Sequence, residues 1–123
     1  MQIHRTKDRV DGIIRTTITG EISLGDALAD MARRADDPSY DPQMPTLVDL
    51  REAHSNMTAD EVVSLTQTIK NNPQRAGGGR RALLVNTALM RGLARMFAAF
   101  AEDGPVHYQL FDDEAKARAW LKE

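Results

Sequence analysis

The 123-residue chain contains no cysteine, which excludes a disulfide framework, a thiolate metal site and a cysteine nucleophile together. A reducing compartment suits such a chain, and the cytoplasm is the expected location. Aromatic residues are scarce, with one Trp, two Tyr and three Phe, so the core must be built from aliphatic side chains and alanine. Long apolar runs are missing too. The longest, Met96 to Ala101, falls far short of the ~20 residues that span a bilayer, and the opening MQIHRTKDR has no apolar segment of the kind that directs secretion. Nor does one sign of charge dominate. Sixteen Lys and Arg against eighteen Asp and Glu leave a net charge of -2, which gives no reason to expect nucleic acid as partner. What is present, 41% hydrophobic and 28% charged residues, is the composition of one globular domain over 1–123.

Periodicity gives the order of elements. Gln2 to Asp8 alternates and is followed by Asp11-Gly12, a pair that supplies the positive φ of a tight turn, so a strand hairpin opens the chain. Ile14, Thr16 and Ile18 then share one face of a strand that Gly20 ends. Ser23, with Asp26 three residues on, caps a first helix over about Leu24 to Ala35, its stripe formed by Leu24, Leu28, Met31, Ala32 and Ala35. Three of the five prolines fall in the loop from Asp36 to Pro45. Thr46 to Leu50 reads as a buried strand ending in polar Arg51-Glu52. Thr58 and Glu61 form a capping box for a second helix with Val62, Leu65, Thr66 and Ile69 inward, stopped by Asn71-Asn72-Pro73.

Gln74 to Gly79 is a connector, and Ala82 to Val85 another buried strand. Asn86 or Thr87 caps a third helix with Leu89, Leu93, Met96, Phe97 and Phe100 at helical spacing. Val106, Tyr108 and Leu110 form a last strand, and Asp112 caps a terminal helix that buries Ala117, Trp120 and Leu121. Strands alternating with helices after an initial β-hairpin make this an α/β chain with a mixed, mainly parallel sheet and four helices.

Chemistry-bearing residues are few. Asp49, His54 and Ser55 have the residue types of a hydrolase triad, but no G-x-S-x-G elbow surrounds the serine. No enzyme activity, no catalytic residue and no cofactor are expected. His4, His54 and His107 lie on different elements without a second ligand at i+3 or i+4, so no metal is expected either. Gly77-Gly78-Gly79-Arg80-Arg81 follows a helix and opens a strand, the reverse of a phosphate cradle, and reads as a linker. Asp112-Asp113-Glu114 complements a helix dipole without needing a cation.

Charge is nevertheless uneven along the chain. From Val62 to Ala101 there is no acid while six Lys and Arg contribute +6, leaving -8 for the rest. Arg91 and Arg95 share a face of the third helix, and Arg91 sits in the first turn, where the dipole disfavours a cation. An ion pair with Glu102 or the terminal helix, or a bound anion, would compensate it. The third helix also carries a second apolar strip of Met90, Ala94, Phe97 and Ala101, about 100° from the Leu89 stripe. This strip is a candidate contact surface for a homodimer, the mouth of an apolar pocket, or ordinary core. In open α/β sheets ligands sit beyond the carboxyl ends of the strands, which nominates Glu21, Arg51, Glu52, His54, Asn86, Thr87 and Arg91.

The chain resembles the SpoIIAA-like family, the STAS-related group of small α/β domains linked to CRAL-TRIO lipid-binding modules. The likeness rests on Thr19-Gly20-Glu21-Ile22-Ser23, Met44 to Arg51, Arg81 to Val85 with Gly92 to Phe97, and Phe111 to Ala115 with Ala119-Trp120-Leu121. It implies a single STAS-like domain that binds a partner protein or a small, partly apolar or anionic ligand, or, through the CRAL-TRIO link, carries a lipid. A small hydrolase using His54 and Ser55 is the reading from another class. STAS antagonists of anti-sigma factors bear an Asp-Ser-Ser-Gly phosphorylation motif after the strand that ends here at Asp49. This chain has Arg51 to Thr58 (REAHSNMT) instead, which leaves Ser55 and Thr58 as the positions open to modification.

Overall fold

The computed structural model describes residues 1–73 and 79–123. The chain runs β1 (Gln2–Asp8), β2 (Ile13–Glu21), α1 (Leu24–Asp36), β3 (Thr46–His54), α2 (Ala59–Asn71), β4 (Arg80–Leu84), α3 (Ala88–Phe100), β5 (His107–Phe111) and α4 (Glu114–Leu121). The sheet order is β1-β2-β3-β4-β5; β1 pairs antiparallel with β2, and every later pair is parallel. Because the parallel strands advance in one direction, crossovers of one hand place α1, α2 and α3 on a single face. The last helix, α4, packs on the other face against β3, β4 and β5.

Local chemistry starts each element where the sequence implies. Gly12 takes φ 68° at the hairpin. The Oγ of Ser23 accepts the Asp26 N–H at 3.1 Å, and Thr87 Oγ1 accepts that of Met90 at 3.2 Å. At α2 the capping box is closed in both directions, Glu61 N–H to Thr58 Oγ1 and Thr58 N–H to Glu61 Oε1.

Several boundaries differ from expectation. β2 does not stop at Gly20: that residue takes φ 83° after an irregularity between Thr17 and Thr19, and Gly20 and Glu21 pair with Ala53 and His54. The same pairing carries β3 past Leu50 to His54. The cap of α4 is Asp113, not Asp112, with Oδ1 accepting the Lys116 N–H at 3.0 Å. In α1 the buried residues are Asp30 and Met31, while Ala32 and Ala35 are exposed. The connector expected from residue 74 lies outside the described residues up to Gly78. Gly79 has a steric reason of its own, since a Cβ there would stand 2.7 Å from the Gln43 carbonyl oxygen.

Alternation sorts the sheet residues to two cores. Ile13, Leu47, Ala82 and Leu84 meet Ala117 and Leu121 of α4. Trp120 packs against this cluster with only part of its surface exposed, lying on Phe111 at 5.7 Å between centroids with the Arg80 guanidinium 5.0 Å over its ring. An ion network binds the edge of α4 to the sheet and to the first turn. Arg15 Nη2 donates to Asp49 at 2.9 Å and to Glu114 at 2.8 Å, and Arg118 joins Glu114 at 2.9 Å, Asp8 at 2.7 Å and Asp11 at 2.9 Å. On the other face Leu50, Leu83 and Val85 pack with Met90 and Ala94 of α3.

Candidate functional site

Between the sheet and α1, α2 and α3 lies an apolar cavity of about 210 Å³. Its floor is made by residues of the sheet, among them Ile18, Val48, Leu50 and Leu83, and its roof by Met31, Val62, Ile69, Met90, Leu93 and Phe97. Phe97 stands edge-on to Tyr108, with ring centroids 4.8 Å apart and planes at 81°, and this fixes one wall.

At the β1 side the apolar cavity meets a second, polar hollow of about 240 Å³. Ile3, Arg5, Asp30, Arg34 and Tyr40 line both. Arg5 grips Asp30 through two hydrogen bonds, 3.0 and 2.6 Å. One turn on from Asp30, Arg34 approaches the same carboxylate, Nε to Oδ2 3.1 Å, but its buried N–H is not aligned to donate. The Tyr40 ring lies 6.0 Å from the Arg5 guanidinium and 5.7 Å from that of Arg34, so its face carries two cations. Arg81, 4% exposed, lines the apolar cavity too and donates to the carbonyls of Pro42 at 2.7 Å and Met44 at 3.3 Å. Burial lowers its pKa, which Tyr40 and Tyr108 partly oppose; the same burial raises that of the Tyr108 phenol.

The cavity does not lie where the strand-end rule placed a site. None of Arg51, Glu52, His54, Asn86, Thr87 and Arg91 lines it. The side chain of Arg51 is taken up by Asp49 at 3.0 and 2.9 Å. Burial would raise the Asp49 pKa, but bonds from Arg51 and Arg15 outweigh it and hold the carboxyl at about 2. Glu52, His54, Asn86 and Thr87 are exposed, and Arg91 is half-exposed. Among the described residues neither Arg91 nor Arg95 forms an ion pair; Glu102 lies 11 residues beyond Arg91, about 16 Å along the helix.

The three triad types are not assembled. Asp49 is held by two arginines, and His54 is exposed. Ser55 is 6% exposed, its hydroxyl donating to the Ile22 carbonyl at 2.6 Å and accepting from the Met57 N–H at 3.2 Å. Of the two positions open to modification, Ser55 thus ties the ends of β2 and β3, and Thr58 is the cap of α2.

The two apolar strips of α3 exchange roles. Met90 and Ala94 are 5% and 6% exposed and Ala101 is 2% exposed, so the Met90, Ala94, Phe97, Ala101 strip is not an outer contact surface. Three of its members, Met90, Ala94 and Phe97, line the cavity. The Leu89 stripe points outward at its two ends, Leu89 being 71% and Phe100 40% exposed. Met90 and Ala94 pack with Leu50, Leu83 and Val85, which turns Leu89, about 100° round the helix from Met90, outward.

Sequence reasoning missed Arg5, Asp30, Arg34 and Tyr40. One signal was available, because Ala27, Asp30, Met31 and Arg34 have the i, i+3, i+4, i+7 spacing of a buried helix face, and a charged pair on such a face marks a polar site in an apolar setting.

No family model matches the sequence, and no curated protein matches it. Among solved structures, the chain is similar to an uncharacterised protein of the DUF3478 family with a SpoIIAA-like fold from Shewanella loihica PV-4, at 18% identity and a TM-score of 0.59, over 98% of this chain and 92% of that one. The fold is therefore α/β and SpoIIAA-like, as the sequence resemblance implied.

Proposed function

We propose that this STAS-like module is a non-enzymatic binding protein that holds a small, partly apolar ligand between its sheet and α1, α2 and α3. The observation that carries this reading is the 210 Å³ apolar cavity. Protein interiors are close-packed, with few voids larger than a water molecule. Apolar walls around a space of this size favour an apolar occupant over water. The carrier reading is the same chemistry with release added. The engagement of Ser55 with Ile22 and of Asp49 with Arg15 and Arg51 supports binding over hydrolysis.

The test titrates 1-octanol into the full chain and follows amide shifts by NMR. Saturable binding of one molecule, with the largest shifts at Leu83, Ala94 and Phe97, is expected. Ala94→Phe, which places a ring in the cavity, should abolish binding while circular dichroism stays native; if that variant does not fold, Val48→Phe serves from the opposite wall. No saturable binding, or binding unchanged in the filled variant, overturns the reading.

A further inference from the structure

The cavity is one-sided in its chemistry. Its far wall is hydrocarbon, while at the β1 side it meets a hollow lined by Arg5, Arg33, Arg34, Asp30, Asp37 and Tyr40. Three arginines face two carboxylates there. The hollow thus carries a local excess of one positive charge.

Not all of this charge is equally free. Asp30 is shared by Arg5 and Arg34, and Asp37 is turned to its own loop, Oδ1 accepting from both the N–H and the hydroxyl of Ser39 at 2.9 and 2.7 Å. Arg33 is exposed and, among the described residues, forms no ion pair. Arg34 keeps donors beyond the one that reaches the Tyr40 hydroxyl at 3.4 Å, since a guanidinium carries five N–H groups. A planar fork beside an aromatic face is suited to an anionic head, carboxylate or phosphate.

Volume sets the other end of the ligand. At roughly 30 Å³ for each water-sized group, 210 Å³ holds about seven methylene or methyl groups. Resting on the binding function proposed above, we infer that the ligand is a single-chain anionic amphiphile of about eight carbons, its chain in the apolar cavity and its carboxylate or phosphate head at Arg33 and Arg34 beside Tyr40. A second acyl chain has no room. A cationic head meets the positive excess and is refused.

The experiment compares six probes on the full chain by isothermal titration: octanoate, octyl phosphate, 1-octanol, octyltrimethylammonium, hexadecanoate and acetate. The better of octanoate and octyl phosphate should bind about tenfold or more tighter than 1-octanol, and their order identifies the head as carboxylate or phosphate. Hexadecanoate should gain nothing over octanoate, and acetate should not bind measurably. Arg33→Gln and Arg34→Gln should each weaken the anionic probe about tenfold while leaving 1-octanol within about twofold. Because Arg34 also approaches Asp30, Arg33→Gln, at an exposed side chain, keeps the test intact if the other variant does not fold. Equal affinity for octanoate and 1-octanol, preference for the ammonium probe, or indifference to Arg33→Gln overturns the anionic head while the apolar cavity stands as a binding site. If no eight-carbon probe binds at all, the cavity's function falls with it.

Discussion

Arg5 on the edge strand β1 and Asp30 on α1 meet through two parallel N–H···O bonds of 3.0 and 2.6 Å, and this pair stands where the apolar cavity meets the polar hollow. The geometry is the forked guanidinium–carboxylate match, which orders both partners more firmly than a single contact does. Asp30 is 8% exposed, so its charge depends on the arginines for solvation.

Arg5→Leu should therefore destabilise the fold by about 2 kcal/mol, less than a lone buried carboxylate would cost because Arg34 remains beside it. Urea denaturation gives this as a lower midpoint at unchanged slope. Asp30→Asn in the same background should recover part of the loss, since the amide needs no counter-charge.

The Asp49 carboxyl, held at about 2 against an ordinary 3.8, links stability to acid. A folded-state value below the unfolded one contributes stability that is fully present above about pH 4 and is lost as pH falls towards 2. The shift corresponds to about 2.4 kcal/mol, reduced to about 1 to 2 kcal/mol because the Arg51 side chain is 40% exposed and screened by solvent. Asp49→Asn should flatten the decline of denaturation free energy between pH 4 and 2 by that amount. Some slope will remain, because bonds from Arg118 and Arg15 also lower the Asp8 and Glu114 values.

Ser55 and His54 separate structural from catalytic roles. Ser55→Ala leaves the Ile22 carbonyl without its 2.6 Å donor and should cost about 1 to 2 kcal/mol. His54→Ala, at an exposed side chain, should change stability by no more than about 0.5 kcal/mol. Thermal melting checks both. Hydrolysis of a nitrophenyl ester should be at the buffer rate for wild type and both variants.

The order of elements was legible because its signals are local: Ser23, Thr58 and Thr87 each cap the helix they precede, and a cap needs only residues within one turn. The phase of α3 was not legible. Its apolar residues fill two strips about 100° apart, and hydropathy weights Leu89 and Phe100 above Ala94 and Ala101, whereas the fold buries Met90, Ala94 and Ala101. The polar end of the cavity was hidden for another reason. Arg5, Asp30, Arg34 and Tyr40 come from a strand, a helix and a proline-rich loop, and no spacing along the chain announces a meeting that only the tertiary fold makes.

The contacts of Arg118 with Asp8 and Asp11 span 110 and 107 residues, whereas strands adjacent in the sheet are also consecutive in the chain. Pairing can therefore proceed strand by strand through short closures, and the bridge from the last helix to the first turn is the costliest loop to close. On that cost the bridge is expected to close after the folding barrier. Arg118→Ala should consequently leave the refolding limb of a chevron where it was and raise only the unfolding limb. The bridge governs how long a folded molecule lasts, with little bearing on how fast it forms.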